Sequence, residues 1–230
     1  LAPTFDGYMQ WGVRVNASGW TTLRPAADRP QVDRYGLAGV MFVGGPGATS
    51  TVSTDHTLAS RVHLYFSALD THTSVSLTLD GRSVPLPTAA HHTGGVIAEF
   101  AVPDQPHSVS VRVTSGSATF YGASFERDHG VIIDNLALTG SKARHMLLWD
   151  APLWRHFLGS RRADLIVLAY GNNELEDRHL TFEQHASQFP NCSARGHTRR
   201  IARTMYRRTP VTQACLASRQ PHLTVIVSKA

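Results

Sequence analysis

Two short loops carry the residues best suited to chemistry. Gly140 follows the apolar run Val131-Ile132-Ile133-Asp134-Asn135-Leu136-Ala137-Leu138, and Asn173 follows Ala163-Asp164-Leu165-Ile166-Val167-Leu168-Ala169-Tyr170. If both runs are strands of one sheet, their loops lie side by side beyond the strand ends. A backbone N–H at Gly140 and the side-chain amide of Asn173 then converge on one oxygen atom. Two neutral donors so placed stabilise the negative charge that develops when an ester carbonyl is attacked. Asparagine suits the role because it donates without titrating. The same residues also have a structural reading: Gly140 permits a tight turn, and Asn173 caps a helix or braces a loop.

The elements that must position these loops read as strand, helix, strand, loop, helix. After the first run, Thr139-Gly140-Ser141 is a turn, and Ser141 is predicted to cap a helix over 142–150. Pro152 starts a second helical piece through Trp154, Phe157 and Leu158, with Trp149 and Trp154 as packing residues. A further helix is expected over Thr181–Phe189. This order predicts a parallel α/β segment over 128–189. Upstream, residues 36–127 alternate with period two. Val62, Leu64 and Phe66 interleave with His63 and Tyr65, and Val75, Leu77 and Leu79 with Ser76 and Thr78. Asp80-Gly81 marks a hairpin turn, and further alternating runs follow over Ala98–Val102 and Val109–Val113. Such runs predict an antiparallel β-sandwich. Residues 1–35 are mixed. Residues 190–230 form a polar, basic tail in which only Leu223–Val227 is a candidate strand.

Bulk composition narrows the function classes. The chain has 230 residues, 42% of them hydrophobic, enough for a substantial core. Its net charge of +5 is uneven: the last 47 residues hold eight Arg or Lys and no acid, and the first 183 carry a net −3. Basic groups confined to a tail without interleaved aromatics argue against nucleic acid as a partner. No apolar run is long enough for a membrane span. Gly44-Gly45-Pro46-Gly47 lacks the Lys-Ser/Thr ending of a phosphate loop, and Pro46 removes a backbone donor. His91-His92 has no ligand partner at a recognised spacing, so no metal is expected. Cys192 and Cys215 permit one disulfide without establishing it.

The two strand–loop segments resemble conserved blocks of the SGNH hydrolases, and most closely those of the peptidoglycan O-acetylesterase group. Asp134-Asn135-Leu136-Ala137-Leu138-Thr139-Gly140-Ser141 is similar to that group's Asp-(Asn/Ser)-Leu-Gly-x-x-Gly-Ala, with Ala137 and Ser141 as departures. Asp164-Leu165-Ile166-Val167-Leu168-Ala169-Tyr170-Gly171-Asn172-Asn173-Glu174 is similar to Asp-Leu-hydrophobic-Ala-Tyr-Gly-Thr-Asn-Glu, with Asn172 for threonine. The resemblance implies an α/β fold with an inserted all-β domain: a partial three-layer SGNH-like parallel sheet plus an antiparallel β-sandwich resembling a carbohydrate-binding module. It divides the chain into an SGNH-like remnant (1–35), the insert (36–127), an SGNH-like segment (128–189) and the tail (190–230). It gives Gly140 and Asn173 the oxyanion-hole role, needs no cofactor, and places the protein in the periplasm or elsewhere outside the cytoplasm of a bacterium.

The family's remaining catalytic groups are not in these residues. No Gly-Asp-Ser occurs anywhere, and no Asp follows Asp177, so the family's C-terminal Asp-x-x-His has no counterpart at His197 or His222. Asp177-Arg178-His179 is too early and wrongly spaced. The chain therefore reads as a fragment or degenerate form of a secreted esterase acting on O-acetylated glycan such as peptidoglycan. The rival readings are a non-catalytic carbohydrate-binding protein and a glycan O-acyltransferase-like protein. For the binding reading, His63, Tyr65, His91 and His92 are candidates for a polar face. The expected partner is cell-wall glycan or another acetylated polysaccharide; oligomeric state is not encoded in any motif here.

Overall fold

The computed structural model describes residues 12–25, 34–87, 93–136, 138, 140–170, 173–176, 181, 183–184, 201–205 and 224–229. The chain is β-rich: antiparallel strands in one curled sheet dominate, and helices are few. In chain order the strands of that sheet are β1 (Val13–Leu23), β2 (Met41–Thr54), β3 (Ala59–Ser67), β4 (Ser74–Leu79), β5 (Arg82–Val84), β6 (Gly95–Gln105), β7 (Ser108–Ser115) and β8 (Ala118–Glu126). They are ordered β5-β4-β7-β2-β8-β3-β6, with β1 also paired to β2. Thus β1, from the first 35 residues, lies in the same sheet as the strands of 36–127.

The curl has a local cause. Phe42–Gly44 of β2 pair with β8, whereas Thr49–Ser53 pair with β7, and Gly45-Pro46-Gly47 lie between the two pairings. On β1 the register shifts at the matching place, around Gly19. Gly19 and Gly47 have φ of +76° and +89°, so this corner needs residues without a Cβ penalty. The Gly-rich run is a strand turning a corner from one half of the sheet to the other.

Two cores result. Between the halves of the curl, the inward residues Val62, Leu64 and Phe66 meet Leu77, Val109, Val111 and Phe120. Phe66 and Phe120 stack there at 5.3 Å. On the other face of β3 and β8, Tyr65 and Tyr121 pack on a helix, α2 (Ala151–Ser160), through Phe157 at 5.6 and 5.2 Å. Tyr65 is therefore under a helix and not on an open sugar-binding face, and His63 beside it has a side chain only 13% exposed. His91 and His92 lie outside the described residues.

The second half differs from its expectation in three ways. The helix predicted over 142–150 is a single turn, α1 (Ala143–Met146), whose N-cap is Lys142 and not Ser141. It stops because Asp150 starts α2, its Oδ1 accepting from the Leu153 N–H at 2.7 Å. Trp149 and Trp154 both pack in the core, as expected. The second sheet is mixed and not parallel. Its strands are β9 (Val131–Asn135), β10 (Leu165–Tyr170), β11 (Ile201–Met205) and β12 (Thr224–Lys229), ordered β11-β10-β12-β9. β10 and β11 are parallel, but β12 runs antiparallel to both β10 and β9. The tail thus supplies two strands where one was anticipated. Of the helix expected over Thr181–Phe189, only 183–184 are described as helical. No helix among the described residues is long and apolar enough to cross a membrane.

The Asp80-Gly81 turn forms as expected, with φ of +50° and +77° joining Leu79 to Arg82. Its carboxylate then does a second job. Asp80 Oδ1 accepts from the Ser108 N–H at 2.8 Å, and Oδ2 lies 2.7 Å from Nδ1 of the buried His107. The other ring nitrogen faces only the carbonyls of Pro103 (2.8 Å) and Ala59 (3.1 Å). Two nitrogens facing only acceptors require both protons, so His107 is an imidazolium. Burial alone disfavours that charge, but the bonds to Asp80, Pro103 and Ala59 outweigh it and raise the pKa above 6.5. A raised folded pKa stabilises fully below the unfolded value, and that contribution is lost as pH rises through the folded one. His107→Gln should therefore lose about 1.5–3 kcal/mol in mildly acid solution, the worth of hydrogen bonds to charged groups. The gap to the parent should narrow on the alkaline side, as read by urea unfolding across the pH range.

Candidate functional site

β9 and β10 are each antiparallel to β12, so they run parallel to one another and their carboxyl ends share one edge of the sheet. That edge carries both loops singled out from the sequence. Gly140 has φ +76°, and a Cβ added there would meet nothing within 4 Å. The glycine is needed for backbone conformation and not for packing. Its N–H meets no acceptor among the described residues. The turn is closed by Ser141 N–H donating to Leu138 O at 3.0 Å.

Asn173 begins a 3-10 turn (Asn173–Glu176) after β10. Its Nδ2 donates to Ser141 O at 2.9 Å, so the side chain braces the opposite loop. An amide nitrogen has two protons, and this bond engages one of them. The second tie runs the other way: Ala143 N–H donates to Oε1 of the buried Glu174 at 2.6 Å. Two crossed bonds therefore clamp the Gly140–Ala143 loop to the Asn173–Glu174 turn. The sequence singles out Asn173 and assigns Glu174 no role. The only mark in the sequence is an acid directly after the asparagine; its burial appears only in the fold.

Ser141, His145 and Glu174 are all buried around this clamp, and their residue types invite comparison with a catalytic triad. The hydrogen bonding argues against it. Lys142 N–H donates to His145 Nδ1 at 3.2 Å, so Nδ1 is the bare nitrogen and Nε2 carries the proton. A protonated Nε2 cannot take a proton from a serine hydroxyl. Ser141 Oγ is itself buried, without a hydrogen-bond partner among the described residues. Among those residues no group of three His, Cys, Asp or Glu is arranged to hold a metal.

No protein-family model matches the chain, and no curated protein matches it in sequence. Among solved structures, a peptidoglycan O-acetylesterase aligns with a TM-score of 0.50 at 18% identity, over 83% of this chain and 51% of its own. The likeness is one of fold. This chain spans about half the length of that esterase. A two-domain esterase active on acetylated mannans, and the module TmCBM61 in complex with β-1,4-galactotriose, align over 50% of this chain at 15% and 16% identity and cover 35% and 88% of their own chains. Their TM-scores are 0.32, and those shorter matches add nothing to the fold.

Behind the loop edge lies the strongest electrostatic feature. Arg161, just past α2, has a side chain 6% exposed. Its guanidinium donates to Asp134 Oδ2 on β9 at 2.9 Å, to the Tyr65 hydroxyl at 3.1 Å, and to Glu126 at the end of β8. Burial lifts the Asp134 carboxyl above its ordinary range, with Arg161 pulling the other way. Burial likewise lifts the Tyr65 phenol. Desolvation works against the Arg161 charge, and Tyr65, Asp134 and Glu126 more than offset it. Asp134 belongs to the block that leads into the Gly140 loop, so this cluster anchors the loop's strand to the curled sheet.

Proposed function

We propose that these 230 residues belong to a glycan-associated relative of the SGNH esterases and hold the oxyanion side of an acyl-ester site, without by themselves turning substrate over. The carrying observation is the crossed pair of bonds, Asn173 to Ser141 and Ala143 to Glu174, between the two loops whose sequences resemble the family's blocks. In this reading the three-layer SGNH-like arrangement is represented by β9, β10 and α2, and the curled sheet is the sugar-binding unit. The Gly140 N–H, which meets no acceptor among the described residues, and the second Asn173 amide proton are the two donors for an ester oxygen. No serine in a Gly-Asp-Ser setting is present to attack that ester. The partner is O-acetylated cell-wall glycan or a similar acetylated polysaccharide, met outside the bacterial cytoplasm.

Acetate release from O-acetylated peptidoglycan tests this directly. The full chain is expected to release none above spontaneous hydrolysis. Turnover abolished by Asn173→Ala would keep the oxyanion assignment and overturn the non-catalytic part of the proposal. The clamp makes a separate prediction. Glu174→Gln exchanges a charged acceptor for a neutral one and weakens the bond to Ala143 N–H by about 1 kcal/mol. Amide exchange at Ala143 should quicken roughly fivefold, while that of β3 stays unchanged.

A further inference from the structure

One end of the curled sheet is closed by a single side chain. His107 lies in the turn between β6 and β7, and its ring, 0% exposed, sits between the two halves of the sheet. On one side Nδ1 faces Asp80 Oδ2 at 2.7 Å, at the turn between β4 and β5. On the other, Nε2 faces the carbonyls of Pro103 on β6 and Ala59 on β3, at 2.8 and 3.1 Å. The main chain of the same residue is bonded twice to Thr54 at the end of β2. Thr54 N–H donates to His107 O at 2.9 Å, and His107 N–H donates to Thr54 Oγ1 at 3.0 Å. Ser108 N–H, at the start of β7, donates to Asp80 Oδ1 at 2.8 Å. The ends of β2, β3, β4, β6 and β7 therefore meet at one imidazolium.

The arrangement works only with both ring protons in place. A neutral imidazole has one N–H. The charged carboxylate is the stronger acceptor, so that proton stays on Nδ1, and Nε2 turns a lone pair onto carbonyl oxygens. Those buried contacts then cost free energy, because no water is there to satisfy them. They are the contacts to β3 and β6, in one half of the sheet, whereas Asp80, Thr54 and Ser108 close the other half. Among the described residues, Asp80 is the charged group bonded to the ring. Asp55 and Asp104, on adjoining strand ends, are taken by Arg14 and Arg127, Arg61 lies by Glu99, and His56 and Arg82 are exposed.

We propose that His107 is a proton-dependent clasp: protonated, it joins the two halves of the curled sheet at this end, and on losing its proton it lets that end open while the rest of the fold stays closed. The clasp is independent of the glycan reading. It acts within the native state, apart from the overall loss of stability expected for His107→Gln. Burial pulls the ring's pKa down, and the bonds to Asp80, Pro103 and Ala59 raise it past the ordinary value. The clasp therefore holds below the folded pKa and releases as pH rises through it. Opening uncovers the apolar row Val52, Val109 and Leu79, paired in register next along the strands.

The test is amide exchange of the full chain by NMR from mildly acid to alkaline pH, each rate divided by that of the same residue in an unstructured chain. Protection at Thr54, His107 and Ser108 should fall at least about tenfold as the ring titrates, while that of the β3 and β8 amides holds. Asp80→Asn removes the carboxylate and still suits the positive φ of the turn. It should move the fall to lower pH by about 1–3 units. His107→Gln should give a profile without the step; should that variant not fold, Asp80→Asn decides alone. A fall shared equally by β3 and β8 would mean global unfolding and overturn the clasp. A step that stays at the same pH in Asp80→Asn, or survives in His107→Gln, would overturn it too, as would full protection while the ring titrates.

Discussion

Arg161→Ala is expected to lower the free energy of unfolding by about 3–5 kcal/mol, the range for removing one partner of a buried ion pair. The native guanidinium touches Asp134, Glu126 and Tyr65 from a side chain that is almost wholly buried. Alanine leaves two carboxylates facing a space from which water is largely excluded, with side chains 10% and 20% exposed. Their desolvation is then uncompensated, and they repel one another. The desolvation explanation is separable from lost packing. Arg161→Met combined with Glu126→Gln and Asp134→Asn removes every charge and should recover most of the loss, because an ion cluster contributes little net stability over a neutral one. Denaturant unfolding followed by tryptophan fluorescence reads both variants. A loss below about 1 kcal/mol for Arg161→Ala, the range of solvent-exposed pairs, would mean that water reaches the cluster.

The cluster also shows which features a sequence can and cannot disclose. Val62, Leu64 and Phe66 announce their strand because one dry face imposes period two. Asp80-Gly81 announces its turn because the positive φ values are a local demand. The burial of Tyr65 is not local: it arises from Phe157 and Arg161, more than ninety residues later, so the residue reads as an outward aromatic until the helix is in place. Gly44-Gly45-Pro46-Gly47 discloses in sequence only that it is no phosphate loop, yet it is the corner of a continuous strand, because β1 follows it round on one edge. β12 enters between β9 and β10 from the end of the chain, and no period in 128–189 signals an antiparallel strand there. At the candidate site the loops and Asn173 were legible as strand ends and turn residues. The bonds that join them were not, since Glu174 and Ala143 find each other only when both strands share an edge.

Gly39→Ala is expected to destabilise the protein strongly. Gly39 sits at φ +73°, where an L side chain costs about 1–3 kcal/mol. It also lies under Trp149: an added Cβ would come within 2.5 Å of Cζ2 and 2.9 Å of Cε2 of the indole. Trp149 cannot easily retreat, because it is 5% exposed and its ring lies 6.0 Å from that of Trp154. Overpacking of this kind costs about 1–3 kcal/mol more, so a total of roughly 2–6 kcal/mol follows from the two effects together. The segment around it has little slack. Gly36 N–H and Gly39 N–H close the turn on Val40 O and Gly36 O, both at 2.9 Å, and Leu37 O accepts from Trp154 Nε1 at 3.2 Å. The steric and backbone parts separate in a double-mutant cycle with Trp149→Leu, which removes the crowded ring. If the clash dominates, Gly39→Ala should cost clearly less in the Trp149→Leu background than in the parent. If the left-handed backbone dominates, the cost should be the same in both, and the role of Gly39 would be the turn itself and not the close approach of the indole.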